Sequence, residues 1–278
     1  MRRSDFESMG DRHKAFEARE TQHKVMPGLP VLVRLDGRAF HTFTRGLIRP
    51  FDERLSRSMI ETTKFLVEET HASIGYTQSD EISLAYPCTD PSKPVMFDGR
   101  IQKLCSILAS TATAKFNQQI LANIPEKAHL LPLFDARVYQ YPTLALTAES
   151  FLWREADATR NSLTMAAHAY YSHKELHKAG YAKKHDLLHA KGINWNDYSA
   201  AQKRGAYVRR ETVLKELTLD ELARIPEKHR PTGPVLRSIL KELDMPPIHR
   251  VTNIEGVLFL GEKPVERSEP DSDTEMTD

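Results

Sequence analysis

The stretch Val31 to His41, VLVRLDGRAFH, constrains the fold of this chain more than any other. Val31, Leu32, Val33 and Leu35 are apolar and β-favouring, so the run begins as a strand. It breaks at a polar elbow, Asp36-Gly37-Arg38. An ionised aspartate at the C-terminal end of a buried strand is costly unless it is paired or holds a metal. A second acidic turn, Ser79-Asp80-Glu81, lies between two further strand-like runs. What the chain can do depends on whether these two turns meet.

The order of elements answers that. Residues 4 to 24 predict a helix, with Met9, His13 and Phe16 at helical spacing, ended by Met26-Pro27-Gly28-Leu29-Pro30. Asp52 is a good N-cap for a helix running to about His71, with Leu55, Met59, Leu66 and Val67 on one face. Ala72 to Thr77 and Glu81 to Tyr86 read as a hairpin. Asp98-Gly99-Arg100 opens a long helix through about Ala122, with Leu104, Leu108, Ala112 and Phe116 on one face. Phe134 to Tyr139 is a fourth strand, followed by helices over about 144 to 155 and 157 to 178.

That order is β-α-β-β-α-β, an α+β ferredoxin-like pattern. Right-handed crossovers make strands one and two parallel, with strand three antiparallel between them. The end of strand one then shares a sheet edge with the following hairpin turn, and Asp36 and Asp80 become neighbours. Two such carboxylates repel unless protonated or bridged by a cation. An oxygen-rich ligand set suits Mg²⁺. The palm domains of nucleotide polymerases and nucleotidyl cyclases are built this way, with two carboxylates holding two metals for in-line attack on phosphorus.

Composition limits the partners. Over 278 residues the net charge is +1, so nucleic-acid binding has to come from a local patch. The candidate is the run holding Lys174, Lys178, Lys183, Lys184, Lys191, Lys203, Arg204, Arg209 and Arg210. Cys88 and Cys105 form neither a disulfide framework nor a metal spacing, which fits a reducing cytoplasm. No apolar run is long enough to span a membrane, and no signal peptide is visible. His173 with His177, and His185 with His189, have i, i+4 spacing but no accompanying zinc signature. Arg49, Arg100 and Lys103 are candidate triphosphate ligands, the last two because a helix's first turn disfavours cations that have no anionic partner.

Three regions are expected. Residues 1–145 form an N-terminal helix and the palm-type catalytic domain. Residues 146–262 form a helical region that completes the site and contacts RNA, with helices near 218 to 225 and 234 to 243. Residues 263–278, carrying Glu266, Glu269, Asp271, Asp273, Glu275 and Asp278, form a disordered acidic tail.

Together DGRAFH, Arg49-Pro50-Phe51-Asp52, SDE, FDGRIQKL, FDARVYQYP, the WREAD run at Trp153 to Asp157, and Lys203-Arg204-Gly205 resemble the tRNA-histidine guanylyltransferase superfamily, over about residues 5 to 210. The resemblance implies enzymes that add nucleotides to the 5′ end of tRNA in the 3′-to-5′ direction, using GTP and ATP as substrates and two Mg²⁺ ions. It further implies an oligomer, commonly a tetramer. Eukaryotic members carry HINxLYN after the tryptophan motif. Here that place reads Thr159 to Met165, TRNSLTM, and only Asn161 and Leu163 match. DATRNS, SHKELH and KGINWND are instead similar to the like-protein branch, associated with repair of 5′-truncated tRNAs.

Carried over by resemblance, Asp36 and Asp80 are metal carboxylates, Gly37 lends its backbone carbonyl, and Glu81 acts on the pair from behind. Asp36, Gly37, Arg38, Ala39, Phe40 and His41, with Ser79 and Asp80, line the nucleotide site. Arg49 and Lys103 contact phosphates, and Asn161 and Ser162 bracket the activated 5′ end. Two other readings stay open: a nucleotidyl cyclase on the same palm, and a tRNA-binding protein with a degenerate site.

Overall fold

The computed structural model describes residues 3–88, 90 and 95–267, with side chains from residue 8 onward. Helix α1 (Arg3–Thr21) leads to β1 (Val31–Gly37), the short α2 (Phe40–Phe43) and α3 (Glu53–Thr70). The hairpin β2 (Ile74–Gln78) and β3 (Glu81–Tyr86) follows, then α4 (Ile101–Asn123) and β4 (Phe134–Gln140). Beyond them lie α5 (Leu144–His168), α6 (Tyr181–His189), α7 (Ala200–Arg204), β5 (Ala206–Lys215), α8 (Leu219–Ala223), β6 (Val235–Glu242) and α9 (Ile254–Phe259).

The six strands form one sheet in the order β4-β1-β3-β2-β5-β6, with every neighbouring pair antiparallel. The first four strands reproduce the split β-α-β-β-α-β arrangement expected from the sequence, with β3 slotted between β1 and β2.

Alternation along the strands separates two cores. Val31, Val33 and Leu35 of β1 join Ile82, Leu84 and Tyr86 of β3 on the face covered by α3 and α4. Leu32, Ile74, Tyr76 and Ala85 face the other way, against Ala148 and Phe151 of α5 and against Met245, Ile248, Val257 and Leu258. A second covered face accounts for the fully buried β2 and β3, where nearly every residue is inside.

Several sequence expectations change. Residues 144–168 form a single helix, since nothing near residue 156 caps or breaks it. The helix expected near 234 to 243 is a strand: Val235–Glu242 pairs along β5, from Val208 opposite Glu242 to Lys215 opposite Val235. The pairs Val235-Leu236 and Ile239-Leu240 sit four apart and mimic a helical stripe, but the free edge of β5 decides the matter. Residues 263–267, expected to open a disordered tail, are instead held against the preceding chain. The Thr252 N–H donates to the Val265 carbonyl at 2.9 Å and the Arg267 N–H to that of Arg250 at 2.9 Å. The rest of that expectation, residues 268–278, lies outside the described residues. No helix among the described residues is long and apolar enough to cross a membrane.

The second core contains a buried acid. Glu155 on α5 is 3% exposed. It accepts the Ile248 N–H at 2.8 Å and the Tyr207 hydroxyl at 2.9 Å, and Arg204 Nε lies 3.7 Å away. Burial pushes this carboxyl up to about 7, against the smaller opposing pull of those donors and of Arg204. The folded state therefore holds its proton more tightly than the unfolded chain. The resulting stability is full below the ordinary value of 4.5 and is lost as pH rises through about 7. At about 1.4 kcal/mol per tenfold change in proton affinity, the ionised group costs about 3 kcal/mol. Glu155→Gln should therefore unfold at higher urea concentration than the parent at pH 8, by up to about 3 kcal/mol, and the gap should close near pH 5. Equal urea midpoints at pH 8 would contradict this.

Candidate active site

Asp36 is the last residue but one of β1, and its register partner across the sheet is Glu81, the first residue of β3. The chain turns sharply after Asp36. The Gly37 N–H donates to the Asp80 carbonyl at 3.0 Å, fastening the elbow to the β2–β3 turn. Ala39 takes a left-handed conformation (φ 55°) and starts α2, which drops Phe40 and Phe43 into the core. There Phe40 stacks among Phe43, Phe116 and Phe134, with ring centroids 5.2–5.4 Å apart. Gly37 is required for this turn: a Cβ there would lie 2.4 Å from the Phe40 ring.

The two acidic turns therefore meet, as the topology required. Both Asp36 and Asp80 are half-buried. Burial pushes the Asp80 carboxyl above the ordinary range, and the neighbouring Asp36 charge adds to the push. Neither aspartate has an ion-pair partner among the described residues.

Glu81 is different. It is 5% exposed, and Arg154 of α5 grips both of its oxygens, Nε to Oε1 and Nη2 to Oε2, at 2.8 Å each. Arg34 Nε lies 4.0 Å from Oε2. Burial raises this carboxyl, and Arg154 draws it back part of the way.

These turns open into a cleft of about 830 Å³. One wall is the elbow, with Asp36, Gly37, Ala39, Phe40 and His41. A second is the loop from Thr44 to Asp52, which includes Arg49. Asp52 pins that loop by accepting the Ile48 N–H at 3.2 Å and the Arg54 N–H at 3.1 Å, capping α3 as the sequence predicted. The third wall is α5, through Arg154, Ala158, Asn161, Ser162 and Met165, and the fourth is Ala201 to Ala206. The Ser162 hydroxyl donates to the Lys203 carbonyl at 2.9 Å and ties these last two walls together. Gly205 (φ 85°) lets that segment approach the Thr77 carbonyl, which a Cβ would meet at 2.5 Å.

Asp36, Gly37, Ala39, Phe40, His41, Arg49, Ser79, Asp80, Glu81, Asn161 and Ser162 thus come together. Lys103 does not. It is exposed on α4, with its ammonium 5.0 Å from the Phe97 ring centre, because Leu104 and Leu108 fix the rotation of that helix. Arg38 is exposed beside the elbow and outside the cleft lining; its backbone N–H donates to the Leu133 carbonyl at 2.9 Å. Arg100 turns back to the Phe97 carbonyl.

The basic run also divides. Arg209 is buried against the carbonyls of Val257, Gly261 and Glu262, and Arg210 is spent on those of Val67 and Glu68. Lys203 lies in the cleft, while Lys174, Lys178 and Lys183 are exposed. The histidine pairs form no metal cluster among the described residues; His185 instead meets the Trp195 ring edge-on.

Sequence reasoning quoted the WREAD run without assigning Arg154 a role, since its partner lies 73 residues away along the chain. Thr44 to Gly46, readable only as a turn, and Gln202 also line the cleft.

A split sheet with two carboxylates on adjoining strand ends, without ion-pair partners among the described residues and facing a large cleft, has the architecture of a palm-type nucleotide enzyme. Residues 10–142 match the family model described as tRNAHis guanylyltransferase. A solved bacterial tRNA(His) guanylyltransferase-like protein in complex with ATP has a TM-score of 0.73 and 32% identity, over 90% of this chain and 98% of that one. Its counterpart in complex with GTP has a TM-score of 0.67. An uncharacterized protein of Acanthamoeba polyphaga mimivirus is 30% identical over 74% of this chain and 78% of its own length. The tRNA(His) guanylyltransferase of Saccharomyces cerevisiae is 27% identical over 75% and 93% respectively. The chain belongs to the tRNAHis guanylyltransferase family.

The elbow's geometry is testable without substrate. Gly37→Ala forces its new methyl into Phe40 and should destabilise the protein by about 1–3 kcal/mol in chemical denaturation. An unchanged denaturation midpoint would show that the ring can move aside at no cost.

Proposed function

We propose that this protein adds nucleotides to the 5′ end of tRNA in the 3′-to-5′ direction. The observation that carries the reading is the meeting of Asp36 and Asp80 at the mouth of one cleft. The family and the ATP- and GTP-bound relatives support nucleoside triphosphates as substrates.

The donor set fits Mg²⁺. It is oxygen only, it carries two like charges with no ion-pair partner among the described residues, and burial plus mutual repulsion raises Asp80. Asp36, Asp80 and the Gly37 carbonyl would hold two ions. Bound there, Mg²⁺ would supply Lewis acidity, lowering the pKa of the attacking hydroxyl and offsetting charge on phosphorus.

The reaction has two stages on a 5′-monophosphorylated tRNA. ATP first converts the 5′ phosphate to an adenylylated form, releasing pyrophosphate. The 3′-hydroxyl of a nucleoside triphosphate, typically GTP, then attacks that phosphate and AMP departs. A tRNA that already carries a 5′-triphosphate enters at the second stage, where the same attack on its α-phosphorus expels pyrophosphate in place of AMP. Arg49 and Lys203 supply positive charge along the cleft for phosphates, and Asn161 and Ser162 hold the 5′ end against α5. Thr159, where eukaryotic relatives carry a histidine, turns its hydroxyl back to the Glu155 carbonyl at 2.8 Å and is spent locally. That supports 5′-end repair over strict selection of tRNA-histidine.

Asp36→Ala and Asp80→Ala should each abolish incorporation of labelled GTP into a 5′-truncated tRNA, a loss of at least about 1,000-fold. Both variants should keep the parent's circular dichroism spectrum. Retained incorporation in either would refute the assignment. A cyclic nucleotide product from GTP alone, without RNA, would favour the cyclase reading instead.

A further inference from the structure

Glu81 presents a carboxylate directly across the sheet from Asp36 and next in sequence to Asp80. Left unpaired, it would be a third carboxylate beside the two aspartates. Here the third is taken. Both Glu81 oxygens accept from Arg154 at 2.8 Å, and Arg34 approaches one of them to 4.0 Å. Arg154 is itself held: Nη2 lies 3.2 Å from Asp157, and its guanidinium is 4.6 Å from the Trp153 ring centre. Its side chain is 11% exposed and that of Glu81 is 7% exposed. A planar fork gripping both oxygens resists exchange in a way that a single ammonium contact does not.

We propose that Arg154 is a positioning residue that withholds Glu81 from the divalent-ion site, keeping that site a two-carboxylate one. This rests on the metal-dependent reading above. The consequence is chemical. Mg²⁺ prefers one or two carboxylates completed by waters and substrate phosphates, whereas a third carboxylate tightens binding and fills a position the substrate needs. Freeing Glu81 therefore strengthens ion binding while weakening nucleotide addition, a combination that simple loss of structure does not produce.

The test uses the full chain and Mn²⁺ alone as the probe, titrated without nucleotide or RNA and followed by its paramagnetic signal. Arg154→Met should tighten Mn²⁺ binding by roughly tenfold, because one more carboxylate becomes available, and should lower nucleotide addition. Arg154→Met combined with Glu81→Gln removes the pair without changing net charge, and should return the Mn²⁺ affinity to within about threefold of the parent. Arg154→Lys, which cannot engage both oxygens, should fall between Arg154→Met and the parent. It carries the same expectation if Arg154→Met does not fold. Unchanged or weaker Mn²⁺ binding in Arg154→Met, or in Arg154→Lys where it stands in, overturns the proposal and leaves the metal reading intact. A parent protein that binds no Mn²⁺ and adds no nucleotide overturns both.

Discussion

The hydrogen bond from the Gly37 N–H to the Asp80 carbonyl joins the two acidic turns, and the register that permits it governs the rest of the site. One such bond contributes only about 1 kcal/mol net. It does not hold two like-charged turns together unaided. What holds them is alternation. Val31, Val33 and Leu35 are buried on the face covered by α3 and α4, and a one-residue slip of β1 would move that set to the opposite face and put Arg34 and Asp36 under α3 and α4 in its place. The cost of a slip is that of burying Arg34 and Asp36 as unpaired charges in an apolar core, several kcal/mol per ion. The core thus fixes the charges where electrostatics alone would separate them.

On the opposite face, α5 does two jobs through adjacent residues. Arg154 reaches Glu81 at the cleft, while Glu155 turns into the buried network of Tyr207, Ile248 and Arg204. Arg154, Ala158, Asn161, Ser162 and Met165 then recur at helical spacing along one stripe facing the cleft. Leu163, Ala166 and Ala167 lie buried on the other side of the helix. One helix therefore carries the cleft wall and anchors it to the C-terminal segments.

The first four strands were legible because period-2 alternation, a capping aspartate and turn residues agree with one another. The topology rule then predicted the meeting of Asp36 and Asp80 without any contact information. β5 and β6 were not legible. Arg209-Arg210-Glu211 interrupts the apolar pattern of β5 and reads as surface, yet Arg209 is buried because backbone carbonyls from 257–262 satisfy its guanidinium. Those partners lie about 50 residues away, and no local rule supplies them. Lys103 failed for a related reason. The dipole argument says a cation in a first turn needs a partner, but which face it occupies depends on the rotation of α4, and packing of Leu104 and Leu108 decides that. Arg154 was readable as a motif residue but not as a partner of Glu81, since pairing across 73 residues is a property of the fold.

The distribution of charge within the cleft follows from the same helix. The Arg154 fork neutralises Glu81, so the charges left free at that end are Asp36 and Asp80. Arg49 lies further along, donating to the His168 carbonyl at 3.0 Å near the end of α5. Fourteen residues separate Arg154 from His168, a rise of about 21 Å at 1.5 Å per residue. Lys203 borders the cleft between them, its segment tied to Ser162. The cleft is therefore acidic at the strand edge and basic toward the far end of α5. A field of this shape would suit the extended anionic substrate proposed above, provided that a cation stood between its reacting phosphorus and the acidic end, with its remaining phosphates toward the arginine.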